Sequence, residues 1–216
     1  MEKIFSGTLA LDLGNTNTVI AFQSEEDENA VLIEIPGITS SPGIVPTAIW
    51  FEKEVNKTII GIGALKMKNF SNSTKHFHTN FKRLIGNPIE KWAEKVLSPI
   101  ESGEKFFKIL WENIPKEFEI KRLVLTAPID TYKGYRKWLV NLCEGLPISE
   151  IALVDEPTAA GIGINVPLGS KIMIIDIGGS TIDMNIIKTQ GGEGKSVPIA
   201  ELLKFQGKDV SAISKQ

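Results

Sequence analysis

The chain has 216 residues, of which 42% are hydrophobic and 23% are charged, and 24 Lys and Arg residues against 26 Asp and Glu residues give a formal net charge of −2. This balance, without a basic block, argues against nucleic acid or an anionic membrane as the main partner, because both require concentrated positive charge. The single cysteine, Cys143, can form neither an internal disulfide nor a cysteine-based zinc site, which fits a reducing cytoplasm.

In chain order, the first predicted feature is a β-hairpin. Residues 7–13 and 18–23 flank a turn of small residues that runs from Gly14 to Asn17. Glycine and asparagine supply the positive φ that a hairpin turn needs. A third strand is expected over residues 30–35, which completes an antiparallel meander.

Prolines and glycines then break the chain around two short β-rich runs, which indicates a subdomain inserted over about residues 36–100. A helix is expected over residues 61–70. The polar stretch 69–80 is expected to be a solvated surface loop. It contains His76 and His78, but a metal site there lacks a third ligand nearby in sequence.

From about residue 100 onwards, strands and helices alternate. The expected elements are a helix over 101–113, a strand over 122–127, a helix over 132–144, a strand over 150–154 and a helix over 157–164. This alternation specifies parallel strands with helical crossovers, added here to the antiparallel meander. A second hairpin is then expected over residues 171–177 and 182–188, followed by a strand over 198–205.

The two hairpins echo each other in sequence. Residues 11–20 read Leu-Asp-Leu-Gly-Asn-Thr-Asn-Thr-Val-Ile, and residues 175–184 read Ile-Asp-Ile-Gly-Gly-Ser-Thr-Ile-Asp-Met. Each copy places an Asp, Asp12 or Asp176, near the end of a buried strand, before a turn whose backbone N–H groups can face an anion. Because carboxylates repel phosphate, such a site requires a bridging cation, for which Mg²⁺ is suited. A single hairpin would be an ordinary Asx turn, whereas two matched copies favour phosphate.

These hairpins resemble the paired phosphate loops of the actin, Hsp70 and sugar-kinase ATPase superfamily, and the chain is most similar to the Hsp70 nucleotide-binding domain. Six segments carry the resemblance in family order: L-D-L-G-N-T-N at 11–17, V-P-T at 45–47, F-K-R-L-I-G at 81–86, T-A-P at 126–128, D-E-P-T-A-A at 155–160 and D-I-G-G-S-T-I-D at 176–183. The family implies a ribonuclease-H-like α/β fold. A mixed sheet flanked by helices would form the first lobe, residues 1–170, and residues 171–216 would open the second lobe with a β-hairpin.

The resemblance also implies roles for individual residues. Asp12 and Asp176 would hold Mg²⁺ through water and act in catalysis, and Asp183 would be a further carboxylate for metal. Glu156, at a strand-to-helix junction, would position or polarise the attacking water. The phosphates of ATP or ADP would be held by small residues of the two loops, namely Gly14, Asn15, Thr16, Gly178, Gly179, Ser180 and Thr181.

Three positions depart from the family pattern. The lysine that reaches the γ-phosphate would be Lys66, but its spacing from Gly63 is off by one residue, so Lys68 is an alternative. Asn15 stands where the family usually has Thr, and Ser180 replaces the third Gly of the second loop. Both are small hydrogen-bonding residues, so these two departures bear on the rate more than on binding.

The resemblance implies an Hsp70-like ATPase that binds Mg-ATP between the hairpins and, in a full-length parent, works in the cytoplasm on unfolded peptides with co-chaperones. Only 33 residues follow Asp183, so we expect most of the second lobe to be missing and little ATPase activity from this chain, whether it is a piece of a longer protein or a short relative. The apolar hairpin at 171–205 is expected to fold back on the first lobe or to pair with a second copy. Three alternatives stay open: a small-molecule kinase, an actin-like filament protein and a docking module that is not an enzyme.

Overall fold

The computed structural model describes residues 3–71, 74–86, 96–128, 133–164, 166–167, 169–179, 181–192 and 195–209. The strands in these residues are β1 (Phe5–Leu13), β2 (Asn17–Ser24), β3 (Val31–Leu32), β4 (Ile44–Pro46), β5 (Ala48–Glu52), β6 (Lys57–Ile60), β7 (Phe77–Thr79), β8 (Phe118–Ala127), β9 (Glu150–Asp155), β10 (Lys171–Ile177), β11 (Thr181–Gly192) and β12 (Lys195–Asp209). The helices are α1 (Gly61–Phe70), α2 (Pro99–Glu112), α3 (Lys133–Leu142) and α4 (Glu156–Gly163), and a 3-10 turn covers Lys82–Leu84.

The chain divides into two compact units, one of residues 1–125 with 132–152 and one of residues 126–131 with 153–216. The predicted lobe boundary at residue 170 stays a prediction.

The first unit is built on a mixed sheet with the strand order β3-β2-β1-β8-β9. Strands β1 and β2 form the predicted antiparallel hairpin, and β8 joins β1 in parallel. Alternate residues of β1, namely Leu9, Leu11 and Leu13, are buried, as expected for a strand with one face in a core. The predicted α/β class with a mixed sheet is confirmed.

The third strand is shorter than the prediction of residues 30–35. Only Val31 and Leu32 pair with β2, opposite Phe22 and Ala21. The reason is competition for the same edge, because β4 pairs with residues 17–19 of β2 and leaves only its far half for β3.

A second, smaller sheet has the order β6-β5-β7 and is called the inserted sheet here, because it lies within residues 36–100. That this range is an inserted subdomain stays a prediction. Helix α1 packs against it around a cluster of buried side chains, Ala48, Trp50, Ala64 and Phe77. The prediction of a solvated loop over residues 69–80 was wrong for β7, where Phe77 pairs with Trp50 and His78 is fully buried. A three-residue strand in a polar stretch has no periodicity to reveal it, and the buried surface that Phe77 gains on β5 decides its conformation.

The F-K-R-L-I-G segment packs on the helical side of the first unit. Phe81 and Ile85 are buried, and the Phe81 ring lies 5.9 Å from that of Phe106 on α2. Gly86 has a φ of +79°, and a Cβ there would lie 2.9 Å from the backbone nitrogen of Tyr135 in α3. This position therefore requires glycine both for its backbone conformation and for the close approach of α3.

The second unit contains the antiparallel sheet β10-β11-β12 with α4 packed on it. The β10–β11 hairpin confirms the second predicted hairpin. Gly161 of α4 lies against Ile187 of β11 so closely that a Cβ on Gly161 would clash with the Ile187 side chain. The small residue lets the helix settle on the sheet.

Candidate functional site

The first candidate loop joins β1 to β2 within a tight turn. Asp12 is the second-last residue of β1 and is half-buried, opposite Val19 of β2. The backbone N–H of Gly14 donates to the carbonyl oxygen of Asp12 at 3.1 Å. A side chain at Gly14 would clash with the carbonyl oxygen of Asn17, so the turn requires glycine.

Thr47, the last residue of the V-P-T segment, is hydrogen-bonded to this loop. The Thr47 hydroxyl donates to the carbonyl oxygen of Gly14 at 2.9 Å, and its backbone N–H donates to that of Thr16 at 2.8 Å. The hydroxyls of Thr47 and Thr18 also lie 2.9 Å apart, and both residues are buried. Two loop carbonyls are thereby directed at Thr47, which removes acceptors that would repel an anion.

Asn80 contacts the same loop from the inserted sheet. The Asn15 side-chain nitrogen donates to Oδ1 of Asn80 at 2.8 Å. Sequence reasoning identified Asn15 but missed Asn80 as well as the contacts of Thr47 and Thr18. The sequence signal for Asn80 is weak: asparagine just before F-K-R-L-I-G is one of the few non-glycine residues that accept a positive φ, and its φ is +58°.

The two candidate lysines lie on α1 and are both exposed. The Lys68 ammonium lies 5.1 Å from the centre of the Phe77 ring, a cation–π contact that holds it against β7. Lys66 is two residues earlier, which turns it about 200° around the helix from Lys68. The choice of Lys66 for the phosphates stays a prediction.

The second candidate loop follows β10 in the second unit. Asp176 is the second-last residue of β10 and pairs in register with Asp183 of β11. Gly178 and Gly179 are exposed after β10, Thr181 begins β11, and Ser180 lies outside the described residues.

Glu156 is the first residue of α4 and directly follows β9. It is half-buried, and Pro157 beside it occupies the first turn. The position suits a carboxylate because the positive end of the helix dipole stabilises negative charge there.

The two loops belong to different compact units, the first to residues 1–125 and the second to residues 153–216. Their meeting across a cleft therefore stays a prediction. Within the described parts of the chain, no three His, Cys, Asp or Glu side chains are grouped so as to hold a metal ion.

Cys143 is outside this chemistry. It is 2% exposed, its thiol donates to the carbonyl oxygen of Leu139, and burial raises its pKa to about 11. The thiolate that a nucleophile requires is therefore scarce near neutral pH.

Known proteins match the chain at low identity. A protein named chaperone protein HscA homolog from Pasteurella multocida (strain Pm70) is 25% identical over 211 residues, which cover 85% of this chain and 33% of the relative. Chaperone protein DnaK from Thermosipho melanesiensis (strain DSM 12029 / CIP 104789 / BI429) is 27% identical over 192 residues, which cover 85% of this chain and 31% of the relative. The chain thus spans about a third of the length of these chaperones.

Among solved structures, MreB5 of Spiroplasma citri bound to ADP matches with a TM-score of 0.65. The match covers 95% of this chain and 52% of that one, at 17% sequence identity. It confirms the expected fold, a mixed sheet flanked by helices as in one lobe of an actin-like ATPase. Of the helices that the structure describes, none has the length and hydropathy to cross a membrane.

A family model gives the assignment. The model described as MreB/Mbl protein matches residues 6–201, which include both hairpins and all the segments between them. The chain therefore belongs to the MreB/Mbl family.

Proposed function

We propose that the chain binds the phosphates of a magnesium–adenine nucleotide, ADP or ATP. The loop of residues 14–17 would be the first of two phosphate-binding loops. The observation that carries this proposal is the contact of Thr47 with the Gly14 and Thr16 carbonyls, because it occupies two carbonyl oxygens that would otherwise repel an anion. The ADP-bound MreB5 neighbour supports the choice of nucleotide.

Three carboxylates would face the metal, Asp12 from the first hairpin and Asp176 and Asp183 from the second. The backbone register of β10 and β11 places Asp176 opposite Asp183. Bound Mg²⁺ supplies neutralisation of phosphate charge. The second set of phosphate contacts would come from small residues, Gly178, Gly179, Ser180 and Thr181.

Two further side chains complete the proposed machinery. Glu156 would orient the attacking water, and Lys66 would contact the γ-phosphate. Because phosphoryl transfer depends mostly on positioning and charge neutralisation, residues missing from either side should lower turnover strongly. ATP hydrolysis is therefore proposed for a protein that contains both sets of residues.

Calorimetric titration of the chain with Mg-ADP tests the nucleotide proposal. Asp12→Asn removes a carboxylate and should weaken binding about tenfold, and excess EDTA should weaken it for the unmodified chain as well. Asp27→Asn, in the exposed acidic stretch Glu25–Glu28 that follows β2, is the matched control and should bind as the unmodified chain does. Equal affinity of the Asp12→Asn and control variants would contradict the proposal.

For the use of the nucleotide, we propose self-assembly, as in an actin-like filament protein. Membership of the MreB/Mbl family supports it, and so does an uncovered apolar face on β10. By the internal echo, Leu11 and Leu13 of β1 correspond to Ile175 and Ile177 of β10. The leucines are 3% and 2% exposed, whereas the isoleucines are 50% and 74% exposed. The face of β10 thus has the same apolar pattern as that of β1, but among the described residues none packs over it to bury these isoleucines.

An Hsp70-like chaperone is the second candidate, supported by the HscA and DnaK relatives. Sedimentation in Mg-ATP against EDTA separates the candidates, since assembly predicts nucleotide-dependent pelleting. A chaperone predicts instead that the chain stays in the supernatant and suppresses aggregation of an unfolded client. If Mg-ADP binding is absent altogether, the chain is better described as a docking module of the same fold.

A further inference from the structure

The first loop is tied to the inserted sheet by a hydrogen bond that the proposed function does not use. Nδ2 of Asn15 donates to Oδ1 of Asn80 at 2.8 Å, across 65 positions of sequence. Asn80 stands between β7 and the 3-10 turn at Lys82–Leu84. The bond therefore links the end of β7 to the loop that is proposed to hold phosphate.

In this structure the oxygen end of the Asn15 amide is the enclosed end. The Asn15 oxygen Oδ1 is buried and has no hydrogen-bond partner, while Nδ2 gives one of its two hydrogens to Asn80. A carboxamide oxygen repels phosphate, whereas its nitrogen donates to it. The repelling end is thus the enclosed one, and the second hydrogen on Nδ2 is left for an anion.

The backbone of Asn80 restricts which residues can take this place. Its φ of +58° lies in the left-handed region, which glycine, asparagine and aspartate enter at the lowest cost. Glycine would keep the backbone and lose the acceptor, whereas aspartate would keep both. These two substitutions separate the role of the side chain from that of the backbone.

We propose that Asn80 is a positioning residue for the phosphate loop, which orients Asn15 so that the amide donor faces the anion. This inference rests on the proposed function, because the anion is the phosphate of the nucleotide. It makes the loop responsive to the inserted sheet, since a displacement of β7 would release Asn15. It also gives a reason for asparagine at position 15, because a threonine hydroxyl sits closer to the backbone and reaches less far toward Asn80.

Hydrogen exchange of two loop amides tests the positioning without nucleotide. The Gly14 amide donates to Asp12, and the Thr47 amide donates to Thr16, so both report loop order. Asn80→Gly should speed their exchange about threefold to tenfold, while Asn80→Asp should keep it slow. Asn56→Gly is the matched control, because Asn56 also has a positive φ, +48°, but lies in the β5–β6 turn.

A double-mutant cycle separates positioning from a general loss of stability. In an Asn15→Ala background, Asn80→Gly should cause no further increase in exchange, and the urea midpoint of unfolding should match that of the Asn56→Gly control. Additive effects, or unchanged exchange in Asn80→Gly alone, would overturn the inference.

The same variants are then titrated with Mg-ADP. We expect Asn80→Gly to bind about threefold to tenfold more weakly than the unmodified chain and Asn56→Gly to bind normally. If the unmodified chain binds no Mg-ADP, the proposed function fails and the exchange result alone decides the role of Asn80. Normal Mg-ADP affinity in Asn80→Gly would overturn the positioning role.

Discussion

Thr47 determines the direction in which two carbonyl groups of the first loop point. It is buried, its hydroxyl donates to the Gly14 carbonyl and lies beside the Thr18 hydroxyl, and its backbone N–H serves the Thr16 carbonyl. Thr47 thus donates a hydrogen bond to each of two loop carbonyl oxygens, those of Gly14 and Thr16. These contacts also contribute to stability, because Thr47 and Thr18 are buried and their hydroxyls would otherwise lack a hydrogen-bond partner.

Thr47→Val should destabilise the chain by about 1–3 kcal/mol, since valine has the same shape but leaves the Gly14 carbonyl and the Thr18 hydroxyl without their partner. Urea unfolding measures the change. Thr58→Val, in the half-buried strand β6, is the matched control and should change stability by less than about 0.5 kcal/mol. A Thr47→Val variant as stable as this control would contradict the role given to the hydroxyl.

Among the site residues, the sequence predicted those that belong to a local pattern and missed those that depend on distant contacts. Asp12, Gly14 and Asn15 lie in a repeated motif, so their place at a loop could be inferred. Asn80 is 65 positions from Asn15 in sequence, and the sequence around either residue does not indicate that the two are in contact.

At the scale of elements, helix α2 shows how a cap sets a boundary. The predicted start at residue 101 was two residues late, because Ser98 caps the helix and Pro99 fits its first position. Ser98 accepts from the Glu101 N–H, and the Glu101 carboxylate accepts from the Ser98 N–H, which completes a capping box. The Ser98 backbone N–H, followed by its hydroxyl, holds the pKa of Glu101 below the ordinary value.

This depressed pKa predicts an acid-dependent loss of stability. The unfolded chain protonates Glu101 at higher pH than the native one, so the contribution is present above the ordinary glutamate pKa and is lost as the pH falls through the native value. Glu101→Gln should cost about 0.5 kcal/mol at pH 7 and less near pH 3. Urea unfolding at both values measures this, with Glu104→Gln further along α2 as control. An equal cost at both values would show that charge is not involved.

Gly86 predicts a second element-scale effect, at the contact of the F-K-R-L-I-G segment with α3. Gly86→Ala meets a positive φ and a Cβ 2.9 Å from the Tyr135 nitrogen. Gly37 has nearly the same φ, +77° against +79°, but open space around it. We therefore expect Gly37→Ala to cost about 1 kcal/mol and Gly86→Ala to cost at least 1–3 kcal/mol more in urea unfolding. Equal losses of stability in the two variants would mean that α3 moves away from the new Cβ at no measurable cost in free energy.

At the scale of the whole molecule, the sequence predicted the fold class because alternating strands and helices permit few arrangements. It could not predict the shortened β3 or the buried β7, since both are decided by which neighbour occupies a sheet edge. The echo of the two hairpins predicts similar loops in both units. It does not predict whether other residues pack over the apolar face of each hairpin. In this respect the two hairpins differ, because Leu13 is buried and Ile177 is exposed.

The exposed face of β10 predicts how this chain associates in solution. Ile175→Lys places a charge in the middle of the apolar face beside Met173 and Ile177, where burial against a second copy would then be costly. In sedimentation velocity with Mg-ATP, the unmodified chain should show larger species that grow with concentration, and Ile175→Lys should shift the distribution toward monomer. Val55→Lys, at a 65% exposed position in the β5–β6 turn, should leave the distribution unchanged. Equal loss of association in both variants would assign it to net charge rather than to this face, and a monomeric unmodified chain at every concentration would refute self-assembly through β10.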